Sequence, residues 1–147
     1  MEITLKIASP EDAAAFCLLN REFNGEDGTS TEEQAARSLA ENPLETVLLA
    51  FADGIPAGFA CAQIHRSACY PLAPAEITEF YVRETFRRRK IGSRMIAEIQ
   101  RIFREQGISE LLLVTGQQNL STQAFYESCG YHRTNHFIYL KELLHEL

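Results

Sequence analysis

Apolar residues at Ile3, Leu5 and Ile7 alternate with polar neighbours, the two-residue period of a strand buried on one face. Ser9 and Pro10 then have the chemistry of a helix cap and first turn, with Glu11 and Asp12 placed to favour the helix dipole. That helix carries Ala14, Phe16, Leu18 and Leu19 and is expected to run to about Asn24, where Asn24-Gly25 opens a polar loop over 26–30. A hydroxyl at Ser30 or Thr31, followed by Glu33 or Gln34, predicts a capping box for a second helix that stops near Asn42, before Pro43. Two β-rich runs, 46–51 and 58–64, flank Asp53-Gly54, which predicts a tight antiparallel hairpin. Residues 65–74 hold two prolines and read as a loop, and 76–83 is the third consecutive strand.

From about Arg89 to Gln106, Ile91, Met95, Ile99, Ile102 and Phe103 recur at three- and four-residue steps, an amphipathic helix closed by Gly107. Residues 111–115 form a short apolar run suited to a buried parallel strand. A short helix over 121–129 is closed by Gly130, and 131–140 is expected to give a final strand or hairpin. The order is β-α-α-β-β-β-α-β-α-β, with the last piece open to splitting in two. It predicts an α/β fold: one mixed, mostly antiparallel sheet with a parallel crossover, flanked by helices.

A length of 147 residues, with no repeat or long linker, predicts a single domain spanning 1–147. No apolar stretch has the roughly 18 residues that a membrane span needs, and the start MEITLKIASPED has no signal-like basic flank and apolar run, so a cytoplasmic setting is expected. A net charge of −6 argues against nucleic acid as a partner and is compatible with a cationic substrate. Cys17, Cys61, Cys69 and Cys129 fit no metal or redox spacing and read as small buried hydrophobes. The four histidines are scattered, and no metal is expected.

The segment with the most chemistry is Phe80-Tyr81-Val82-Arg83-Glu84-Thr85-Phe86-Arg87-Arg88-Arg89-Lys90-Ile91-Gly92-Ser93: a strand, a basic turn and the start of a long helix. A helix N-terminus offers unpaired amides and the positive end of a dipole, which suit phosphates. The arginines and Lys90 add charge for a polyphosphate. A charged, solvated helix start has the same composition, so the residues alone leave both readings open.

This run resembles the acetyl-CoA-binding motif Q/R-x-x-G-x-G/A of GCN5-related N-acetyltransferases, preceded by a Leu-x-Val-like triplet. Arg87 matches the first position and Gly92 the last, while Lys90 stands where the first glycine is usual. Downstream, Asn119-Leu120-Ser121-Thr122-Gln123-Ala124-Phe125-Tyr126-Glu127-Ser128-Cys129-Gly130-Tyr131 is similar to the family's second signature. The pattern of motif and tail is also loosely similar to aminoglycoside 3-N-acetyltransferases.

The resemblance implies direct attack of an amine on the thioester of acetyl-CoA, bound where strands 76–83 and 111–115 splay apart. The backbone of Phe80 and Val82, with Tyr81 between them, would pair with the pantetheine arm. Amides of Arg88, Arg89, Lys90, Ile91, Gly92 and Ser93, with Arg87, would hold the pyrophosphate, and Asn119 would line the cofactor side. Tyr126 matches the family tyrosine that approaches the sulfur, a general acid for the leaving thiolate. Glu79, and after it Glu76, is the candidate base. On a regular strand these two face opposite sides, so only one reaches the cleft unless a bulge intervenes. The acceptor is expected to be a small amine, with Glu22, Glu26, Asp27, Glu32 and Glu33 suiting a polycation. A protein N-terminus or lysine, or a module that only binds CoA, are the other readings. Homodimerisation is common for the fold, and here the C-terminal strand with the 141–147 tail is the expected contact.

Overall fold

The computed structural model describes residues 1–28 and 30–144. Thr29 of the acidic loop and the last three residues of the tail lie outside them. The chain forms two compact units, Met1–Val114 and the segment from Thr115 onward. The first contains β1 (Ile3–Ile7), α1 (Ala13–Asn24), α2 (Glu32–Glu41), β2 (Glu45–Ala52), β3 (Ile55–Ile64), β4 (Ala75–Val82), α3 (Ile91–Glu105) and β5 (Leu111–Leu113); the second contains α4 (Leu120–Ser128). The five strands lie side by side in chain order. β1 to β4 pair antiparallel, and β5 joins β4 in parallel after the α3 crossover. Among the described residues, no helix is long and apolar enough to cross a membrane.

The local signals work as the sequence suggests. Thr31 caps α2 by accepting from the Gln34 amide at 3.1 Å, while the Gln34 side chain accepts from the Thr31 amide at 2.9 Å. Asp53 and Gly54 turn the β2–β3 hairpin with positive φ of 49° and 81°. At the first helix, Ser9 and Asp12 form a capping box over a 3-10 turn, Pro10–Asp12, and Lys6 reaches both Glu11 and Asp12.

The sheet carries helices on both faces. On one face Leu19, with Phe16, packs on Val47, Leu49, Phe59 and Cys61, and Ala13, Cys17 and Ala35 seal α1 against α2. On the other, α3 buries Ile91, Met95, Ile96, Ile99, Ile102 and Phe103. Burial of side chains of this size contributes roughly 1.5–3 kcal/mol each. Gly58 sits where β3 and β4 approach under α3: a Cβ there would lie 2.6 Å from the Tyr81 carbonyl oxygen and 3.3 Å from the Val82 Cα. A Gly58→Ala variant is therefore expected to lose about 1–3 kcal/mol of stability by overpacking. Thermal melts would show this, and a weaker acetyl-CoA affinity would show the push on Tyr81 and Val82.

Two bulges shape the central strands. One, between Ala50 and Phe51, leaves Ala57 without a partner, and the other, between Cys61 and Ala62, leaves Thr78 without one. The Thr78 hydroxyl donates to the Cys61 carbonyl at 3.2 Å, bracing the second.

Two expectations need correction. The final strand over 131–140 is not formed, although the rest of the order holds. A strand needs a partner for its backbone, and the regular element of this unit among the described residues is α4, which has no sheet edge. Phe137 and Tyr139 stand 84% and 93% exposed. Of the cysteines, Cys17 and Cys61 are buried, but Cys129 is half-buried and Cys69 is exposed in the proline-containing loop.

Candidate functional site

β5 pairs β4 only along Ala75, Glu76 and Ile77, so β4 continues five residues beyond its parallel neighbour. The Arg83 amide donates to the Ala57 carbonyl at 2.8 Å, and Val82 is opposite Gly58. Alternation along an antiparallel ladder then turns the peptide groups of Phe80 and Val82 toward the edge away from β3. Those peptide groups therefore lie on the edge that β5 leaves after Ile77. The Val82 carbonyl on that edge accepts from Arg87 Nε at 2.8 Å.

The strand passes through a 3-10 turn, Glu84–Phe86, into Arg87, Arg88, Arg89 and Lys90, and α3 begins at Ile91, two residues later than its periodicity suggested. Arg88 and Lys90 have positive φ, 64° and 62°. Lys90 is the N-cap of α3 in left-handed conformation. A non-glycine residue there costs roughly 1–2 kcal/mol, so the usual glycine can be replaced at the cost of strain, and the ammonium remains exposed at the helix start. Among the described residues no carboxylate pairs with Arg87, Arg88, Arg89 or Lys90. The Ile91 side chain is buried, so only its amide faces this turn, beside Gly92 and Ser93.

Tyr81 and Glu22 are committed elsewhere. The Tyr81 ring stacks on Phe23 of α1 at 5.0 Å, and its hydroxyl donates to Glu22 Oε1 at 2.7 Å. Arg83 Nε donates to the same oxygen at 3.0 Å, and Arg83 Nη1 donates to the Pro56 carbonyl. The Tyr81 hydroxyl, then Arg83, hold Glu22 below the usual carboxylate range against the opposing effect of burial. Glu22 is thereby a clip between α1 and β4 and drops out of the acidic set. Glu26 and Asp27 stay exposed in a 3-10 turn, and Glu33 lies 3.6 Å from Arg37.

The bulge at Thr78 changes the geometry of the two candidate bases. Glu76 is opposite Gln63 and Glu79 is opposite Cys61, and these β3 positions share a face, so both glutamates lie on the α1 side of the sheet. Glu76 Oε1 is 3.2 Å from His65 Nε2. Among the described residues Glu79 has no cation or hydrogen-bond donor for its carboxylate. Sequence reasoning missed a third carboxylate here. Glu45 begins β2 opposite Gln63 and accepts from the Gln63 side-chain amide at 2.8 Å. Burial pushes its carboxyl up, the Gln63 hydrogen bond opposes this, and the Glu79 charge adds to the push.

In the second unit, Asn119 caps α4: its Oδ1 accepts from the Thr122 amide at 3.3 Å and from the Ser121 hydroxyl. Tyr126 is 7% exposed, within 5.3 Å of the Phe125 ring and 5.8 Å of Tyr131 by centroids. Burial, with smaller effects from Tyr131 and Cys129, pushes its hydroxyl up to about 12, so it holds its proton at neutral pH.

Comparison with known proteins adds to this geometry. The family model described as Acetyltransferase (GNAT) family matches residues 13–131. An aminoglycoside N(6')-acetyltransferase type 1 from Stenotrophomonas maltophilia is 26% identical over 141 residues, 94% of this chain and 92% of its own. The protein of the same name from Salmonella typhimurium is 27% identical over 97 residues, 64% of this chain and 67% of its own. Among solved structures, AAC(6')-Iy in complex with the bisubstrate analog CoA-S-monomethyl-acetylneamine superposes with a TM-score of 0.86 at 18% identity, covering 97% of this chain and 99% of that one. A ribosomal-protein-alanine N-acetyltransferase from Brucella melitensis superposes at 0.81, with 18% identity and the same coverage.

Proposed function

The chain belongs to the acetyltransferase (GNAT) family, and from that premise we propose that it acetylates a primary amine of a small polycationic molecule of the aminoglycoside kind. The observation that carries this reading is the β4 edge that outruns β5 and leads into a basic turn at a helix N-terminus. These residues fit acetyl-CoA: the peptide groups of Phe80 and Val82 for the amide-bearing arm, the amides of Ile91, Gly92 and Ser93 with Arg87, Arg88, Arg89 and Lys90 for the pyrophosphate. Asn119 keeps its backbone and its Nδ2 donor for cofactor, since the α4 cap uses only Oδ1. The bound cosubstrate supplies an acetyl group activated as a thioester.

The chain's own residues then have three tasks. The acidic face of the sheet attracts the acceptor's ammonium, and Glu79 takes its proton, directly or through water. Glu76, tied to His65, is better placed to orient the amine than to take its proton. Tyr126, neutral at working pH, donates a proton to the departing sulfur. Likeness to the N(6')-acetyltransferases supports an aminoglycoside acceptor. A cytoplasmic setting follows, because acetyl-CoA is held there.

Thiol release from acetyl-CoA is the direct test, with neamine, sisomicin, spermidine and an alanine-ended peptide as acceptors. Turnover with the aminoglycosides alone is expected. Preference for the peptide would move the reading to protein N-termini, and no thiol release with any acceptor would overturn it. We further infer that two copies associate through the tail, on the support of the exposed run Phe137, Ile138, Tyr139 and Leu140. Sedimentation should give a dimer, and a monomer after Phe137→Ser and Tyr139→Ser; a monomeric wild type would refute it.

A further inference from the structure

The end of β4 is held by side chains as well as by its ladder. β5 leaves β4 after Ile77, so among the described strands β3 alone pairs with the last five residues of β4. Tyr81 is opposite Phe59, and the Arg83 amide donates to the Ala57 carbonyl, which ties the backbone on either side of Val82 to β3. The side chains of Tyr81 and Arg83 then converge on α1. The Tyr81 hydroxyl and Arg83 Nε donate to the same oxygen of Glu22, at 2.7 Å and 3.0 Å. Arg83 Nη1 also donates to the Pro56 carbonyl of β3 at 3.1 Å, and the Tyr81 ring stacks at 5.0 Å on Phe23, the residue after Glu22. The Glu22 and Arg83 side chains are 35% and 27% exposed, so this pair is better shielded than an ordinary surface ion pair.

We propose that Glu22 is a positioning residue for the pantetheine arm of acetyl-CoA: with one carboxylate oxygen it holds the two side chains that flank Val82, and so fixes the β4 edge against α1. The inference rests on reading that edge as the site of the arm, and deepens it. A strand laddered on one side is free to twist about that side. Each such motion takes the Phe80 and Val82 peptide groups off the line that an added chain must follow. Anchoring Tyr81 and Arg83 to a third element removes that freedom before the arm arrives, which strengthens binding by cutting the cost of ordering. Glu22 takes no part in bond making and acts only through Tyr81 and Arg83.

The same link reaches the basic turn. Arg87 Nε donates to the Val82 carbonyl at 2.8 Å, and its guanidinium lies 5.9 Å from the centre of the Tyr81 ring. Val82 is thus bracketed by Tyr81 and Arg83, both fixed on Glu22, and by Arg87, which lies over one of them. The pairs of Glu33 with Arg37 and of Glu98 and Glu105 with Arg101 each stay within one helix. Glu22 and Arg83, by contrast, are 61 residues apart and join a helix to a strand end.

The test is calorimetric titration with two probes: acetyl-CoA, and 3′-phospho-ADP, the nucleotide of the same molecule without its arm. Wild type is expected to bind acetyl-CoA the more tightly. Glu22→Ala should weaken acetyl-CoA about ten-fold and leave the nucleotide within about two-fold. Tyr81→Phe, which keeps the ring against Phe23, should weaken acetyl-CoA about three-fold. Adding it to Glu22→Ala should change nothing more, because both break one link. Glu22→Gln keeps an oxygen for the Tyr81 hydroxyl and should lose less than Glu22→Ala. Thermal melts show that each variant is folded at the titration temperature. Equal weakening of both probes in Glu22→Ala, the mark of a generally loosened fold, overturns the proposal, as does an unchanged acetyl-CoA affinity or a fully additive double variant. Equal affinity of the wild type for the two probes overturns the edge reading, and the role of Glu22 with it.

Discussion

Replacing Tyr126 with phenylalanine is expected to lower kcat by about two orders of magnitude and to leave acetyl-CoA affinity within about three-fold of wild type. The substitution deletes one hydroxyl and keeps the ring that contacts Phe125 and Tyr131, so the packing of α4 survives. Burial holds that hydroxyl's proton to about pH 12, so the phenol is in its protonated form across the working range. It should also add no alkaline limb to the rate profile below that value. Thiol-release kinetics and calorimetric titration with acetyl-CoA separate the two quantities. An unchanged kcat would reduce Tyr126 to a core aromatic and mean that the thiolate leaves without help from this side chain.

The second large effect is expected at Gly92. A glutamate there places a carboxylate in the first turn of α3, where the diphosphate of acetyl-CoA is proposed to sit, and should weaken binding about 100-fold, or about 2.7 kcal/mol. The fold should not suffer. Glutamate is a better helix former than glycine by up to about 1 kcal/mol, and a negative charge at a helix start is favourable to the helix itself. Loss of the titration heat with an equal or higher melting temperature would therefore locate the defect in the cofactor site. Retained affinity would place the pyrophosphate elsewhere.

Much of this architecture is legible in the sequence because the signals are local. The apolar period of α3, the Thr31–Gln34 box and the Asp53-Gly54 turn each depend on residues within a turn or two of one another, and each appears close to where the pattern puts it. The basic turn is legible for the same reason. Long-range pairing is what escapes. Nothing near Glu45 indicates Gln63, 18 residues away, and two one-residue bulges decide which side of the sheet the acidic residues face. Glu22 reads as part of an acidic loop, yet its partners, Tyr81 and Arg83, lie 59 and 61 residues on. The strand expected over 131–140 failed for a related reason: strand-like composition does not provide a partner strand.

The stretch of β4 beyond β5 has a consequence for how the protein behaves in a tube. A strand edge that can receive one extended chain can receive another, and such edges are where soluble proteins begin to stick together. Arg87 lays a cationic side chain against the Val82 carbonyl and over the Tyr81 ring, 5.9 Å from its centre. The same arginine that is proposed to meet a phosphate thus also blunts this edge. Purification without acetyl-CoA would then favour low salt and low concentration, and added cosubstrate would act as a solubiliser as well as a reactant.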